Sequence, residues 1–243
     1  MANYLLVHGA WGGAWYWRPV QHALIRAGHN AHALTLTGLG ERAHLLSSDI
    51  TLETHIADVR GALAAEELAD CILVVHSYAG MLGTAVADRE PAGTLRHLVY
   101  VDAVVPRPGE SWSSTHGRAT RQARLAAAAA TPDFSFPPPD PGVFGLQDAD
   151  YEWVRRRQTP HPGHTYEAPL AFDPARVARV PRTFIDCTQP ALATIDAIRP
   201  RVRDAGFWDG AWLPGSRVVE LATGHDPMLS ERAAMTRLLL ELA

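Results

Sequence analysis

Short uninterrupted apolar runs alternate along the chain with longer stretches in which apolar residues recur at three- and four-residue spacing. Runs of this length without polar alternation read as strands buried on both faces, and the longer periodic stretches as amphipathic helices. Strands are predicted at residues 4–8, 31–36, 71–76, 97–102, 183–187 and 217–221. Helices are predicted near 17–27, 51–67, 79–89, 195–203 and 230–242. The strand-helix-strand rhythm predicts one α/β domain over residues 1–243, a mostly parallel sheet flanked by helices. No internal repeat is present.

Between about residues 106 and 181 the rhythm breaks. This stretch holds five consecutive alanines, Ala126 to Ala130, the run Pro137-Pro138-Pro139, and Thr159-Pro160-His161-Pro162-Gly163-His164. Such composition also suits a disordered insert. The aromatic residues Trp112, Phe134, Phe136, Phe144, Tyr151, Trp153, Tyr166 and Phe172 supply enough apolar surface to pack, so a folded lid over a pocket is expected.

Composition removes several functions. All 22 basic residues are arginine. Without lysine the chain has no amine for Schiff-base chemistry, for holding pyridoxal phosphate or for a Walker-type phosphate loop. A net charge of -4 with no long basic run gives no footprint for nucleic acid or an anionic membrane. The start lacks the features of a secretory signal and no stretch reaches membrane-spanning length, so a cytoplasmic protein is expected. Cys71 and Cys187 both fall in predicted buried strands, which argues against a disulfide and against a thiol nucleophile.

The local chemistry centres on Cys71-Ile72-Leu73-Val74-Val75-His76-Ser77-Tyr78-Ala79-Gly80, an apolar strand that ends in serine and passes at once into a helix. A sharp strand-to-helix turn lifts a serine hydroxyl clear of the sheet edge, and it needs small neighbours because strand and helix come close. Val75 and Ala79 stand where the usual Gly-x-Ser-x-Gly pattern has glycine, and Val75 should crowd the turn. A bland helix cap is the competing reading of Ser77. The first strand leads into His8-Gly9-Ala10-Trp11-Gly12-Gly13. Such a loop can offer one backbone N–H to an oxyanion, here from Ala10, while the residue after the nucleophile, Tyr78, offers the other. A phosphate cradle is the alternative, but the dinucleotide fingerprint is missing. His8 is expected to hold the loop.

Of the twelve histidines, His225 follows the last predicted strand in Thr223-Gly224-His225-Asp226-Pro227, where a loop can place an imidazole over the sheet edge as general base. His22, His29, His44 and His55 are assigned by default to surface positions. His161 and His164 lack a carboxylate or cysteine set and make a weak metal site, so no metal is expected. For the acid that orients His225, Asp102 at the C-terminus of its strand is preferred, with Asp186 and Asp196 as rivals.

These segments are similar to bacterial esterases related to plant methylesterases and hydroxynitrile lyases. The resemblance covers nearly the whole chain. It rests on Leu6-Val7-His8-Gly9-Ala10-Trp11, on 35–42 (Thr-Leu-Thr-Gly-Leu-Gly-Glu-Arg), on Val75-His76-Ser77-Tyr78-Ala79-Gly80 and on Gly224-His225-Asp226-Pro227-Met228. It implies the α/β-hydrolase fold, Ser77 and His225 as nucleophile and base, and Ala10 and Tyr78 as oxyanion donors. In the plant members the acid follows the strand that here ends Cys187-Thr188, where this chain has Gln189-Pro190; Asp102 stands where the related haloalkane dehalogenases carry theirs. Hydroxynitrile lyases of this group use a lysine just after the histidine and a threonine in the first loop, whereas Asp226 and Gly9 stand here, so cyanohydrin cleavage is disfavoured.

The expectation is therefore a cofactor-independent serine carboxylesterase working through an acyl-enzyme on a small-molecule ester. Trp11, Trp15 and Trp112 suggest an apolar or aromatic substrate, with Trp11 and Trp112 the substrate-binding residues singled out. A tailoring enzyme of secondary metabolism and a non-catalytic ligand receptor are the alternatives, and a homodimer is left open beside a monomer.

Overall fold

The computed structural model describes residues 1–243. Six strands form one parallel sheet: β1 (Asn3–Val7), β2 (Asn30–Leu34), β3 (Cys71–His76), β4 (Leu95–Val101), β7 (Arg182–Cys187) and β8 (Ser216–Leu221), in the order β2-β1-β3-β4-β7-β8. A two-residue antiparallel pair, β5 (Ser135–Phe136) and β6 (His161–Pro162), lies apart. The longer helices are α1 (Arg18–Arg26), α2 (Leu52–Ala65), α3 (Gly80–Arg89), α4 (Arg118–Ala129) and α5 (Asp148–Arg155). Short turns of helix follow as α6 (His164–Glu167), α7 (Pro174–Val177), α8 (Ile198–Arg201) and α9 (Pro227–Ser230), and α10 (Arg232–Leu240) closes the chain.

Every residue of β3 is buried, as a central strand covered on both faces requires. The chain steps outward from β1 to β2, then crosses back to β3 and on to β4. Right-handed crossovers in opposite directions put α1 on one face of the sheet and α2 and α3 on the other. Accordingly α1 packs against α10, and α2 against α3. Because all six strands run the same way, their C-termini meet along one edge, the edge at which open α/β sheets bind ligands.

The six predicted strands correspond to the six observed, within two residues at each end. The helix expected over 195–203 is instead a 3₁₀ turn, Ala193–Ile195, followed by the single turn α8. Pro200 sits inside this segment and denies it a backbone donor, which breaks a continuous helix.

Two glycines make the turn after β3 possible. A Cβ on Gly80 would lie 1.9 Å from the Val104 carbonyl oxygen, so α3 meets the chain after β4 at backbone distance. The crowding expected of Val75 is relieved one helical turn on, because Gly83 faces both Val75 methyl groups and its Cβ would come within 2.9 Å of them. Gly80→Ala is expected to cost more than about 3 kcal/mol in chemical denaturation. Gly61→Ala, on the exposed side of α2 with nothing within 4 Å, is expected to add up to about 1 kcal/mol. Equal effects at both sites would refute the close approach.

Candidate active site

The C-terminal edge of the sheet gathers side chains from four strand ends. Ser77 follows β3 directly and has φ +54°, left-handed backbone that a non-glycine residue adopts at some cost. Its carbonyl accepts from Val104 N–H at 3.0 Å, which pins the turn. Gly9, after β1, lies so close that a Cβ there would sit 2.8 Å from both Ser77 Cβ and His76 Nδ1. His8 is fully buried, with Nδ1 2.7 Å from its neighbour's carbonyl, that of Gly9, and Nε2 accepting from Leu36 N–H at 3.1 Å. It ties the first loop to the end of β2, and burial pushes its pKa down to about 4, keeping it neutral. The N–H groups of Ala10 and Tyr78 take no protein acceptor.

His225 comes from the loop after β8. Its Nδ1 lies 2.7 Å from Asp102 Oδ2, and both side chains are buried. The carboxylate's other oxygen accepts from Arg199 at 3.2 Å and from Cys187 N–H at 3.4 Å. Thus Asp102, rather than Asp186 or Asp196, meets the imidazole. Asp186 is buried and bound by Arg199 and Arg203, each at 2.8 Å, while Asp196 is largely exposed and held by Arg199 alone. The His225 N–H donates to the Phe144 carbonyl at 2.9 Å. Gly224 permits that approach, since a Cβ there would stand 2.3 Å from the same oxygen.

Ser77 and His225 line one cavity of about 190 Å³, together with Ala10, Trp11, Trp112 and Phe144. No hydrogen bond joins Ser77 Oγ to His225 Nε2 in this structure; such contacts are often long before substrate binds. Trp11 is buried with φ +61°, and its indole N–H donates to the Phe136 carbonyl at 3.3 Å. Trp15 is not in the cavity wall; it stacks on Tyr16 at 4.2 Å and meets Trp153 edge-on. Five residues between 106 and 181, Trp112, Arg124, Pro139, Val143 and Phe144, supply a third of the residues that line the cavity with Ser77.

Two buried groups escaped the sequence reading. His55, expected at the surface, is fully buried on α2, with its imidazole 3.1 Å from the Tyr78 hydroxyl and 2.9 Å from the Thr37 carbonyl. The amphipathic spacing of α2 puts it on the inward face, a signal that was readable. Asp226 also lines the cavity. Its Oδ1 lies 3.4 Å from His76 Nε2 and its Oδ2 has no partner. Burial, with Asp102 nearby, raises its pKa to about 7 despite the opposing pull of His225. His76 is pushed well below the ordinary histidine value, first by burial and then by His225.

His76, His225 and Asp226 bring donor atoms within 4.8 Å of one another, the set here that could hold a metal ion. His225 Nδ1 is already bonded to Asp102 and His76 Nε2 to the His225 carbonyl, so the hydrogen bonding organises the trio without a built coordination shell. His161 is buried beside Trp11, Trp112 and Phe136 and bonded to Thr165, while His164 stacks on Phe134. Both cysteines are buried free thiols. No helix is long and apolar enough to cross a membrane.

A parallel sheet whose strand ends assemble this constellation defines an α/β hydrolase, and the family model described as "Alpha/beta hydrolase family" matches residues 4–238. The chain belongs to that family. It is 41% identical over 239 residues to the carbendazim hydrolyzing esterase of Nocardioides sp. (strain SG-4G), covering 94% of each chain. It is 26% identical to methylesterase 7 of Arabidopsis thaliana, covering 99% of this chain and 96% of the relative. Among solved structures, an extracellular alpha/beta-hydrolase from a Paenibacillus species superposes with a TM-score of 0.81 at 18% identity, over 100% of this chain and 99% of that one.

The environment of Asp226 has a thermodynamic consequence. Below about pH 4 the carboxyl is protonated folded or unfolded. As pH rises to about 7 the unfolded chain releases this proton while the folded chain keeps it, so folding loses stability across that window and levels off above it. Asp226→Asn removes the effect. Denaturant titrations from pH 4 to 8 should show the variant gaining on the wild type by up to roughly 1.4 kcal/mol per pH unit below pH 7. A pH-independent difference would mean that Asp226 ionises normally.

Proposed function

We propose that this chain is a cofactor-independent serine esterase in which Ser77 is the nucleophile, His225 the general base and Asp102 the acid that orients it. The carrying observation is the buried 2.7 Å contact between His225 Nδ1 and Asp102, at the edge of a cavity that Ser77 shares. With Nδ1–H donated to Asp102, Nε2 is the free acceptor. It takes the proton from Ser77 Oγ as that oxygen attacks the ester carbonyl. The Ala10 and Tyr78 N–H groups, which have no protein acceptor, receive the developing oxyanion. The imidazolium then protonates the departing alcohol, and water enters by the same steps to release the acid.

Ester cleavage is further supported by the relatives named as esterases, and the 106–181 segment serves as the lid, with Trp11 and Trp112 contacting the bound group. The cavity volume favours a small acyl or alcohol portion: about 150 Å³ already admits benzene. Activity is measured with p-nitrophenyl acetate and butyrate. Ser77→Ala should lower kcat by at least ~10⁴-fold and abolish mass labelling by a serine-directed phosphonate. Asp102→Asn should lower it by about 10³- to 10⁴-fold. Labelling that persists in Ser77→Ala would reject the nucleophile, and near-normal turnover in Asp102→Asn would reject the acid.

A further inference from the structure

Burial depresses two arginines, Arg182 and Arg124, below their ordinary value, and neither forms an ion pair. Arg182 nonetheless sits in a carbonyl cage, because its two terminal nitrogens donate to the carbonyls of Val177, Val180, Ala211, Trp212 and Pro214 at 2.7–3.3 Å, leaving Nε alone without a partner. Arg124, on α4, has no such cage. Its polar neighbours are His116 Nδ1, at a long 3.4 Å, and the Tyr166 hydroxyl, which lies 2.7 Å from that same nitrogen and interacts with the guanidinium. Burial pushes the His116 pKa down to about 3, so this neighbour carries no charge of either sign.

What holds Arg124 is aromatic. Its guanidinium carbon lies 4.9 Å from the Trp112 ring centre, 5.2 Å from Trp11, 5.3 Å from Tyr166 and 5.9 Å from Phe136. Ring faces attract the positive charge but accept few of the five N–H bonds that radiate in the guanidinium plane. The residue lines the cavity that contains Ser77 and His225. A half-desolvated, permanent cation with spare coplanar donors matches a carboxylate, which accepts two of them side by side. Asp226 is the acidic residue that lines the same cavity, and burial keeps it largely protonated below about pH 7, which limits its repulsion of an anion.

We propose that Arg124 is a specificity residue that binds a carboxylate borne by the ester substrate, so that the site prefers monoanionic esters to neutral ones of the same shape. This rests on the esterase reading above, and the two are separable by experiment. The wild type is assayed on p-nitrophenyl hemisuccinate against its neutral methyl ester, and on 4-carboxyphenyl butyrate against 4-(methoxycarbonyl)phenyl butyrate, so that the anion lies in the acyl half or in the alcohol half. In one pair or the other the anionic member should have the higher kcat/KM. Arg124→Gln should lower that anionic-to-neutral ratio about 10- to 100-fold, and Arg124→Lys should restore part of it. A ratio that Arg124→Gln leaves unchanged in both pairs overturns the proposal.

A binding arm does not depend on turnover or on the Arg124 variants folding. Ser77→Ala, with native Arg124, is titrated with benzoate and with benzamide while the fluorescence of Trp11 and Trp112 is followed. Benzoate should bind at least tenfold more tightly, and equal affinity overturns the proposal. Loss of all ester turnover in the wild type with this benzoate preference intact would reject the esterase reading while leaving the carboxylate site standing.

Discussion

A carboxylate taken wholly out of water is the constraint around which this edge of the molecule is arranged. Asp102 has no exposed surface, and an isolated charge there would cost several kcal/mol. Its two oxygens are answered by His225, Arg199 and the Cys187 N–H. Arg199 in turn reaches Asp186 and Asp196, and Arg203 links Asp186 to Glu220 on β8. The ends of β4, β7 and β8 and the turn α8 are thereby joined through one charge network. The position of the imidazole follows from satisfying that buried charge, so its orientation and the local stability draw on the same bonds.

The cavity beside it is chemically lopsided. Its lining includes Asp226 and His76, neighbours short of hydrogen-bond partners. It also includes Trp11 and Trp112, with the guanidinium of Arg124 against their faces. A ligand beside Ser77 therefore meets both a buried carboxyl-imidazole pair and a cationic aromatic cluster. The polar groups are few and fixed, so orientation is set by electrostatic asymmetry as well as by shape.

The sheet was readable because a parallel strand covered on both faces favours an apolar run: β3 is apolar from Cys71 to Val75, and β7, though wholly buried, keeps only Phe184, Ile185 and Cys187 among Arg182, Thr183 and Asp186. Ser77, His225 and Asp102 were readable because each stands just past such a run, where chain direction alone sends it to the ligand edge. Arg124 was not readable. It lies in the alanine-rich helix α4, and only tertiary packing brings aromatic rings from four separate segments around it. The burial of Asp226 is not legible either, because no local pattern tells a carboxyl in a loop that it will lose its water. The failure over 195–203 has a local cause in Pro200, a marker present in the sequence. The default that sent His55 to the surface ignored the periodicity of its own helix.

The contact between Gly224 and Phe144 gives the 106–181 segment a second status. The carbonyl that receives the His225 N–H belongs to that segment, and the glycine before the histidine has no room for a side chain because of it. The segment is thus no interchangeable module on a constant chassis. A graft that re-routed the chain at residue 144 would leave His225 without its backbone anchor, so drift in this segment and drift in the histidine loop must stay matched. Changes that reshape the pocket are freest at Pro139 and Val143, which line it without holding His225.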